Sequence, residues 1–144
     1  MNAFDRLAAW SPQMLAVLRI MTALLFIEHG TSKLFGFPPS PMGGGELKLF
    51  SLIGLAGILE VGGGFLILIG LRTRPVAFVL AGFMAVAYFM AHAPKSFYPL
   101  LNGGDPAILY CFIFLYLVAA GAGAWSVDAL KSPEPIVTGA PRHL

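Results

Sequence analysis

Four long apolar stretches run through the chain, separated by segments rich in glycine, proline and charge. They cover about residues 12–35, 49–71, 74–93 and 106–124. Each is close to the roughly 20 residues that an α-helix needs to cross the hydrocarbon core of a bilayer. The connections are short, and short connections make consecutive helices antiparallel neighbours. The sequence therefore predicts an all-α fold, an integral membrane four-helix antiparallel bundle within residues 1–126.

Capping residues, prolines and glycines mark the ends of these predicted helices. Ser11 and Asp105 each precede a proline, a pattern typical of a helix N-cap followed by proline in the first turn. The Gly-Phe-Pro-Pro segment at 36–39 ends the first helix, because proline lacks a backbone donor and disfavours helix in the residue before it. Residues 127–144 are polar and contain prolines, so we predict a disordered cytoplasmic tail there.

Composition supports a lipid environment. Hydrophobic residues make up 58% of the chain and charged residues only 11%, whereas soluble proteins carry about 25% charged residues. The net charge of +2 is too small to indicate a nucleic-acid partner. Basic residues cluster at the N-terminus, the second connection and the tail, which predicts that both termini are cytoplasmic. These residues are Arg6, Arg72, Arg74, Lys131 and Arg142.

The first predicted helix carries four ionisable residues at membrane depth: Arg19, Glu28, His29 and Lys33. Such groups cost a few kcal/mol each or more unless they are paired or face a protein interior. At about 100° per residue, Glu28 projects away from Arg19, so each needs a partner on another helix. We predict that Arg19 pairs with Glu60 of the second helix. That pair is either an interhelical clamp or part of a functional site.

Small residues surround Glu60 in the second helix. Gly57, Glu60 and Gly64 are spaced by three and four positions and share one helical face. Small residues let neighbouring membrane helices approach closely. We therefore predict that Glu60 lies in a tight helix–helix seam, where Arg19, Glu60, Gly57 and Gly64 have structural roles.

The candidate binding residues lie in the half of the predicted bundle that is farther from the cytoplasm. Glu28, His29, Glu60 and His92 are predicted to line a pocket, with Glu28 or His29 exchanging protons. Lys33, Arg19 and Asp105 are further ligand-binding candidates, although Lys33 could instead reach the membrane surface and Asp105 could act only as a cap. A quinone headgroup suits such a pocket, because it needs a hydrogen-bond donor, a proton-exchanging group and an apolar slot. Haem or metal is not expected, since no HxxxH, ExxH or CxxCH spacing is present.

Several segments in order along the chain are similar to one family. They are Leu-Arg at 18–19, Glu-His-Gly-Thr-Ser-Lys-Leu-Phe-Gly at 28–36, Gly-Ile-Leu-Glu-Val-Gly-Gly-Gly at 57–64, Gly-Leu-Arg-Thr-Arg at 70–74, Asn-Gly-Gly-Asp at 102–105 and Gly-Ala-Gly-Ala-Trp-Ser-Val-Asp at 121–128. Together they resemble the DoxX family of small four-helix bacterial membrane proteins. The resemblance implies a multi-pass protein of the bacterial inner membrane. Some members of that family are described as subunits of a thiosulfate:quinone oxidoreductase, and others as partners in membrane oxidoreductase or thiol-stress complexes.

Three hypotheses of function follow. The first is a redox-associated accessory subunit, with a quinone as ligand and oxidoreductase subunits as partners. Thiol chemistry within this chain is in doubt, because Cys111 is its only cysteine. The second is a non-catalytic assembly protein whose charges act as internal clamps. The third is a small-solute or proton transporter, which would require a homo-oligomer because four helices are few for a transporter.

Overall fold

The computed structural model describes residues 3–40 and 50–131. Within these ranges the chain forms seven α-helices, namely α1 Ala3–Ala8, α2 Ser11–Phe35, α3 Leu52–Ile69, α4 Thr73–Ala87, α5 Pro99–Asn102, α6 Asp105–Ala120 and α7 Val127–Lys131. A π-helical turn, Tyr88–His92, and a 3-10 turn, Ala93–Lys95, extend α4. The described residues contain no strand, so the all-α prediction is confirmed for them.

Four of these helices form the membrane-spanning bundle. α2, α3 and α4 with its extension are long and apolar enough to cross a bilayer, and α6 is a shorter apolar helix of 16 residues. Their outward faces carry large hydrophobic side chains that would be unfavourable in water. Examples with about half or more of the side chain exposed are Leu25, Phe65, Phe78 and Phe112. The exposed apolar belt indicates that lipid surrounds the bundle.

Consecutive long helices run in opposite directions. α2 packs along α3, α4 packs along α6, and α3 lies beside α4. One end of the bundle, here called the tail end, holds the start of α2, the end of α3, the start of α4 and the end of α6. The opposite end, here called the loop end, holds Phe35, Leu52, His92 and Asp105.

The bundle interior is packed with aromatic and aliphatic side chains. Phe26 of α2 and Phe114 of α6 meet edge to face with ring centroids 5.0 Å apart, and both are almost completely buried. Buried residues of α3 and α4 complete this core, among them Ile67, Ala77, Leu80 and Met84. The core thus joins the α2–α3 pair to the α4–α6 pair.

Glycines bring α2 and α3 close together. A Cβ atom on Gly30 would lie 2.9 Å from the carbonyl oxygen of Gly57. A Cβ atom on Gly64 would lie 2.7 Å from a side-chain carbon of Ile27, and one on Gly57 would lie 2.7 Å from Leu34. These separations are shorter than normal van der Waals contact, so the two helices approach as they do only because these positions lack side chains.

The helix starts differ from the sequence prediction. Ser11 and Asp105 are the first residues of α2 and α6 rather than their N-caps. The capping positions are Trp10 and Gly104, and neither provides a side-chain hydrogen bond. Ser51 is the residue that caps a helix, since its Oγ accepts a 3.0 Å hydrogen bond from the N–H of Gly54. α3 therefore begins at Leu52, whereas the apolar pattern predicted a start at about residue 49, which lies outside the described residues.

The tail end is more ordered than the sequence indicated. α6 ends at Ala120 because Gly121 turns the backbone to a φ of 83°, whereas the apolar pattern predicted helix to residue 124. After this turn, α7 packs back on the bundle. The carboxylate of Asp128 accepts 2.8 Å hydrogen bonds from the N–H groups of Arg72 and Thr73 at the start of α4. The predicted disordered tail is thus wrong for 127–131, and the remainder of that prediction lies outside the described residues.

Candidate functional site

An ion pair between α2 and α3 lies at the centre of the candidate site. The Nζ of Lys33 donates to Oε1 of Glu60. Glu60 is only 2% exposed, and Lys33 is half-buried in the last turns of α2. The close approach of the two helices at Gly30 and Gly57 carries the lysine to the acid. The predicted Arg19–Glu60 pair is therefore wrong, because Glu60 has Lys33 as its partner.

Arg19 instead binds backbone at the tail end of the bundle. Its side chain is fully buried, and its guanidinium donates to five carbonyl oxygens. Two belong to the last turn of α3 and three to the segment after α6; the acceptors are Ile67, Leu68, Ala122, Ala124 and Trp125. Helix ends leave carbonyls without intrahelical partners, and the planar guanidinium has five N–H donors that can satisfy them. Arg19 thus contacts the backbone of α3 and of the segment after α6 rather than Glu60, and it is not among the residues of the cavity described below.

A cavity of about 520 Å³ lies at the loop end among α2, α3, α4 and α6. This volume falls in the range of about 300–1,000 Å³ that is typical of small-molecule sites. Most of the wall is apolar, with Phe83, Met84 and Leu59 among its residues. The polar side chains on the wall are His29, Lys33, Glu60, His92 and Tyr110. The cavity thus brings together four of the residues that the sequence singled out.

Glu60 is a residue of the cavity wall, and its second carboxylate oxygen has no protein partner in the described ranges. Oε2 is buried and accepts no hydrogen bond from any residue in the described ranges. Buried polar atoms in folded proteins nearly always have a partner, so an orphaned oxygen on a residue of the wall makes Glu60 a candidate ligand contact. Lys33 neutralises the charge of Glu60 through Oε1 and makes no hydrogen bond to Oε2.

His92, another residue of the cavity wall, is held in a fixed orientation. Its Nδ1 lies 3.0 Å from the carbonyl oxygen of Asn102, and the ring of Tyr88 is stacked on it with centroids 6.3 Å apart. The side chain of Asn102 is itself fixed, since it donates to the carbonyl of Ser96 and accepts from the N–H of Gly104. The π-helical turn at the end of α4 carries His92 into this network.

Tyr110 is a site residue that the sequence prediction missed. Its ring meets His29 edge to face at 5.9 Å and stacks on Phe114 at 6.1 Å. Ala107, Tyr110 and Phe114 are spaced by three and four positions, so the sequence did contain the signal that Tyr110 shares the inward face of α6. The signal was hidden because α6 is apolar on nearly every face.

Glu28 and Asp105 do not line the cavity. Both side chains are exposed, and neither is among the residues that form the cavity wall. Glu28 is exposed while the neighbouring His29 lines the wall, because adjacent helical positions face different directions. The prediction that Glu28 and Asp105 belong to the pocket is therefore wrong. In the part of the chain that is described, no three His, Cys, Asp or Glu residues lie close enough together to hold a metal ion.

Comparison with known proteins decides the family. The DoxX family model matches residues 14–93, which run from α2 to the end of α4 and include Lys33, Glu60 and His92. The chain belongs to the DoxX family. It is a membrane protein of that family, as the resemblance in its sequence implied. The match ends before Asn102 and Tyr110, so these two site residues come from outside the matched segment.

Curated relatives cover nearly the whole chain. An uncharacterized protein of Haemophilus influenzae is 42% identical over 127 residues, which are 86% of this chain and 95% of the relative. The inner membrane protein YqjF of Escherichia coli is 30% identical, over 82% of this chain and 92% of the relative. An uncharacterized membrane protein of Mycobacterium tuberculosis is 26% identical, over 93% and 91%. No solved structure matches the chain.

Proposed function

We propose that this DoxX-family protein binds a quinone-like ring in the loop-end cavity and acts as an accessory subunit of an oxidoreductase in the bacterial inner membrane. The observation that carries the proposal is an apolar cavity whose wall includes Glu60, a buried acid with one carboxylate oxygen that has no partner among the described residues. A ring with two polar oxygens and an apolar body fits a cavity of about 520 Å³ with this lining. The relative named as an inner membrane protein supports the location.

The position of the cavity favours a ligand that is dissolved in the membrane. Its wall includes side chains of α3 and α4 that are also more than half exposed on the outer surface of the bundle: Leu52, Ile53, Leu55, Val86 and Met90. These two helices pack against each other less closely than α2 packs on α3 or α4 on α6. A hydrophobic tail can therefore lie in the gap between α3 and α4 while the ring reaches Glu60.

The polar wall residues supply binding and proton exchange. A bound quinone would provide two-electron, two-proton redox chemistry, with the electrons exchanged by a partner subunit. Glu60 and His29 are the candidate proton-exchanging groups, and Lys33 balances the charge of Glu60. Tyr110 and His92 place further hydrogen-bonding atoms on the wall.

Ligand titration on the purified protein tests this function. A decyl-substituted benzoquinone is titrated into the protein in lipid nanodiscs, and we expect saturable binding. Removing a hydrogen bond to a charged group costs about 1.5–3 kcal/mol, so Glu60→Gln should weaken binding about tenfold or more. His29→Ala should weaken it as well. Tyr116→Phe, an exposed tyrosine of α6 away from the cavity, is the control and should bind like the wild type. Absence of saturable binding would contradict the proposal.

A non-catalytic assembly role is the second candidate. The five carbonyl bonds of the buried Arg19 join α3 to the segment after α6, which supports this candidate. If the Lys33–Glu60 pair serves the same purpose, Glu60→Gln lowers the abundance of the protein without altering the turnover of any co-purified oxidoreductase. Affinity purification from native membranes, with analysis of bound lipid-soluble cofactors, separates the two functions.

A further inference from the structure

We propose that an open groove at the tail end of the bundle binds the phosphate headgroup of an anionic membrane lipid. This tail-end groove has a volume of about 550 Å³ and lies between the start of α4, the end of α6 with the turn that follows it, and α7. Its charged and polar wall residues are Arg74, Ser126, Asp128 and Lys131. The groove and the loop-end cavity are at opposite ends of the bundle, so this proposal does not depend on the proposed function.

Arg74 is fixed in place and still has unused hydrogen-bond donors. Its Nη1 donates to the carbonyl oxygens of Val118 and Ala119, in the last turn of α6, at 2.7 and 2.5 Å. A guanidinium has five N–H donors, and within residues 3–40 and 50–131 the Nε and Nη2 groups of Arg74 have no acceptor. Nε and Nη2 form the kind of planar edge that binds two oxygens of a phosphate at once. Arg74 is exposed and retains these donors, whereas all five donors of the buried Arg19 are used.

The charges around the groove favour an anion. Lys131 is exposed and, within the described ranges, forms no hydrogen bond or ion pair. The carboxylate of Asp128 is the acid on the wall, and both of its oxygens already accept N–H groups at the start of α4. Arg19 lies behind the wall, where its Nε donates to the neutral carbonyl oxygen of the wall residue Ala122. Cations therefore outnumber the single carboxylate.

Exposed apolar side chains next to the groove indicate that the phosphate belongs to a lipid. Phe78 follows Arg74 by one turn of α4, and Leu115 precedes Ala119 by one turn of α6, so each pair shares a helical face. Both Phe78 and Leu115 are exposed on the bundle surface. An acyl chain can lie on them while the phosphate reaches Arg74. Basic pockets between membrane helices at this depth are typical sites for anionic lipid headgroups.

Four probes separate the contributions of charge and acyl chain. Dissociation constants for the full chain in mild detergent are measured by native mass spectrometry with dioctanoyl phosphatidylglycerol, dioctanoyl phosphatidylcholine, glycerophosphoglycerol and inorganic phosphate. One basic residue near an anionic headgroup corresponds to about a fivefold change in affinity, and two act here. We therefore expect phosphatidylglycerol to bind at least about tenfold more tightly than phosphatidylcholine. The two probes without acyl chains should bind at least about tenfold more weakly than phosphatidylglycerol, because they bury no apolar surface.

Variants assign the binding to the groove. Arg74→Gln removes the charged edge and should weaken phosphatidylglycerol binding about tenfold or more. Lys131→Gln should weaken it about fivefold, and this variant removes no hydrogen bond within the described part of the chain, so it decides the question if Arg74→Gln does not fold. Arg72→Gln is the matched control, because Arg72 is an exposed cation at the same end that does not line the groove. The control should change the affinity less than about threefold.

Equal binding of phosphatidylglycerol and phosphatidylcholine would overturn the proposal. Equal losses in Arg72→Gln, Arg74→Gln and Lys131→Gln would also overturn it, since surface charge alone would then attract the lipid. Glycerophosphoglycerol or inorganic phosphate binding as tightly as phosphatidylglycerol would overturn the assignment to a lipid and indicate a soluble phosphate ligand. The expected order of the probes, lost in Arg74→Gln and Lys131→Gln but kept in Arg72→Gln, would confirm the proposal.

Discussion

Lys33 at the end of α2 forms an ion pair with Glu60 in the middle of α3, and Glu60 is almost completely buried there. The lysine thus neutralises an acid that would otherwise be isolated in the membrane interior. The pair uses only one carboxylate oxygen, and both residues of the pair line the cavity. One contact therefore holds α2 to α3 and also sets the chemistry of the cavity wall.

Breaking this pair from one side should be costly. Lys33→Met leaves the carboxylate of Glu60 buried without its cation, and removing one partner of a buried ion pair destabilises a protein by about 3–5 kcal/mol. Lys33→Met combined with Glu60→Gln should recover part of that loss. Unfolding in mild detergent across the four proteins of this double-mutant cycle gives the coupling energy.

A second double-mutant cycle tests the Arg19–Glu60 pair that the sequence predicted and the structure does not contain. Residues in direct contact show coupling energies of about 0.5–3 kcal/mol, whereas distant residues add within about 0.5 kcal/mol. We expect Lys33 and Glu60 to be coupled and Arg19 and Glu60 to be additive. Strong coupling between Arg19 and Glu60, with none for Lys33, would contradict the contacts described.

Replacement of Arg19 should destabilise the tail end even when the charge is kept. A lysine has three donors on one nitrogen and cannot reproduce the planar fork that reaches five carbonyl oxygens. Each hydrogen bond from a charged group contributes about 1.5–3 kcal/mol, so Arg19→Lys should cost about 3 kcal/mol or more. Thermal unfolding in detergent measures this loss. Stability equal to the wild type would show that the carbonyl bonds contribute little.

Substitution by alanine should have opposite effects on stability at two glycines, Gly30 in the close α2–α3 contact and Gly62 in open space on α3. Gly30→Ala places a methyl group against the backbone of α3 and the side chain of Val61, and overpacking of this kind costs about 1–3 kcal/mol. Gly62→Ala is the matched control, because nothing lies within 4 Å of its would-be Cβ. The control should be neutral or stabilising by up to about 1 kcal/mol, since alanine favours helix. Equal effects at both positions would argue against a close approach of α2 and α3.

Docking of α7 should weaken in acid. Burial of the Asp128 carboxyl acts to raise its pKa, but hydrogen bonds from the N–H groups of Thr73 and Arg72 outweigh burial and hold that pKa below its ordinary value. A carboxyl with a lowered folded-state pKa stabilises the fold above its unfolded pKa, and the contribution is lost as the pH falls from about 4 through the folded value. Hydrogen exchange of residues 127–131 should therefore accelerate in this range. Asp128→Asn should accelerate it at neutral pH and remove the pH dependence.

Variants of Glu28 and His29 test which of these two adjacent residues contacts the ligand. The sequence placed both in the pocket, whereas in the structure only His29 reaches the wall. We expect His29→Ala to weaken binding of the benzoquinone about fivefold or more, as loss of a buried polar contact of about 1 kcal/mol implies. Glu28→Gln should have a smaller effect than His29→Ala. The reverse order would restore Glu28 as the site residue.

The amino-acid sequence by itself determined the class of the fold. Long apolar stretches can satisfy their backbone groups in lipid only as helices, so the number and order of α2, α3, α4 and α6 follow from hydropathy and from the short Arg72–Arg74 connection. Gly57 and Gly64 also marked the face of α3 that packs on a neighbour. These features depend on the spacing of residues within one helix, and that spacing can be read directly from the sequence.

Only the tertiary structure decided which charges meet. Arg19 and Lys33 lie on similar sides of α2, so periodicity could not tell which of them reaches Glu60. The choice depends on the register of α2 against α3 and on the turn at Gly121, which brings the backbone carbonyls that follow it within hydrogen-bonding distance of Arg19. The cavity arises in the same way, because its wall combines residues from four helices. Contacts between helices depend on register and close packing, and one sequence read along its length contains neither.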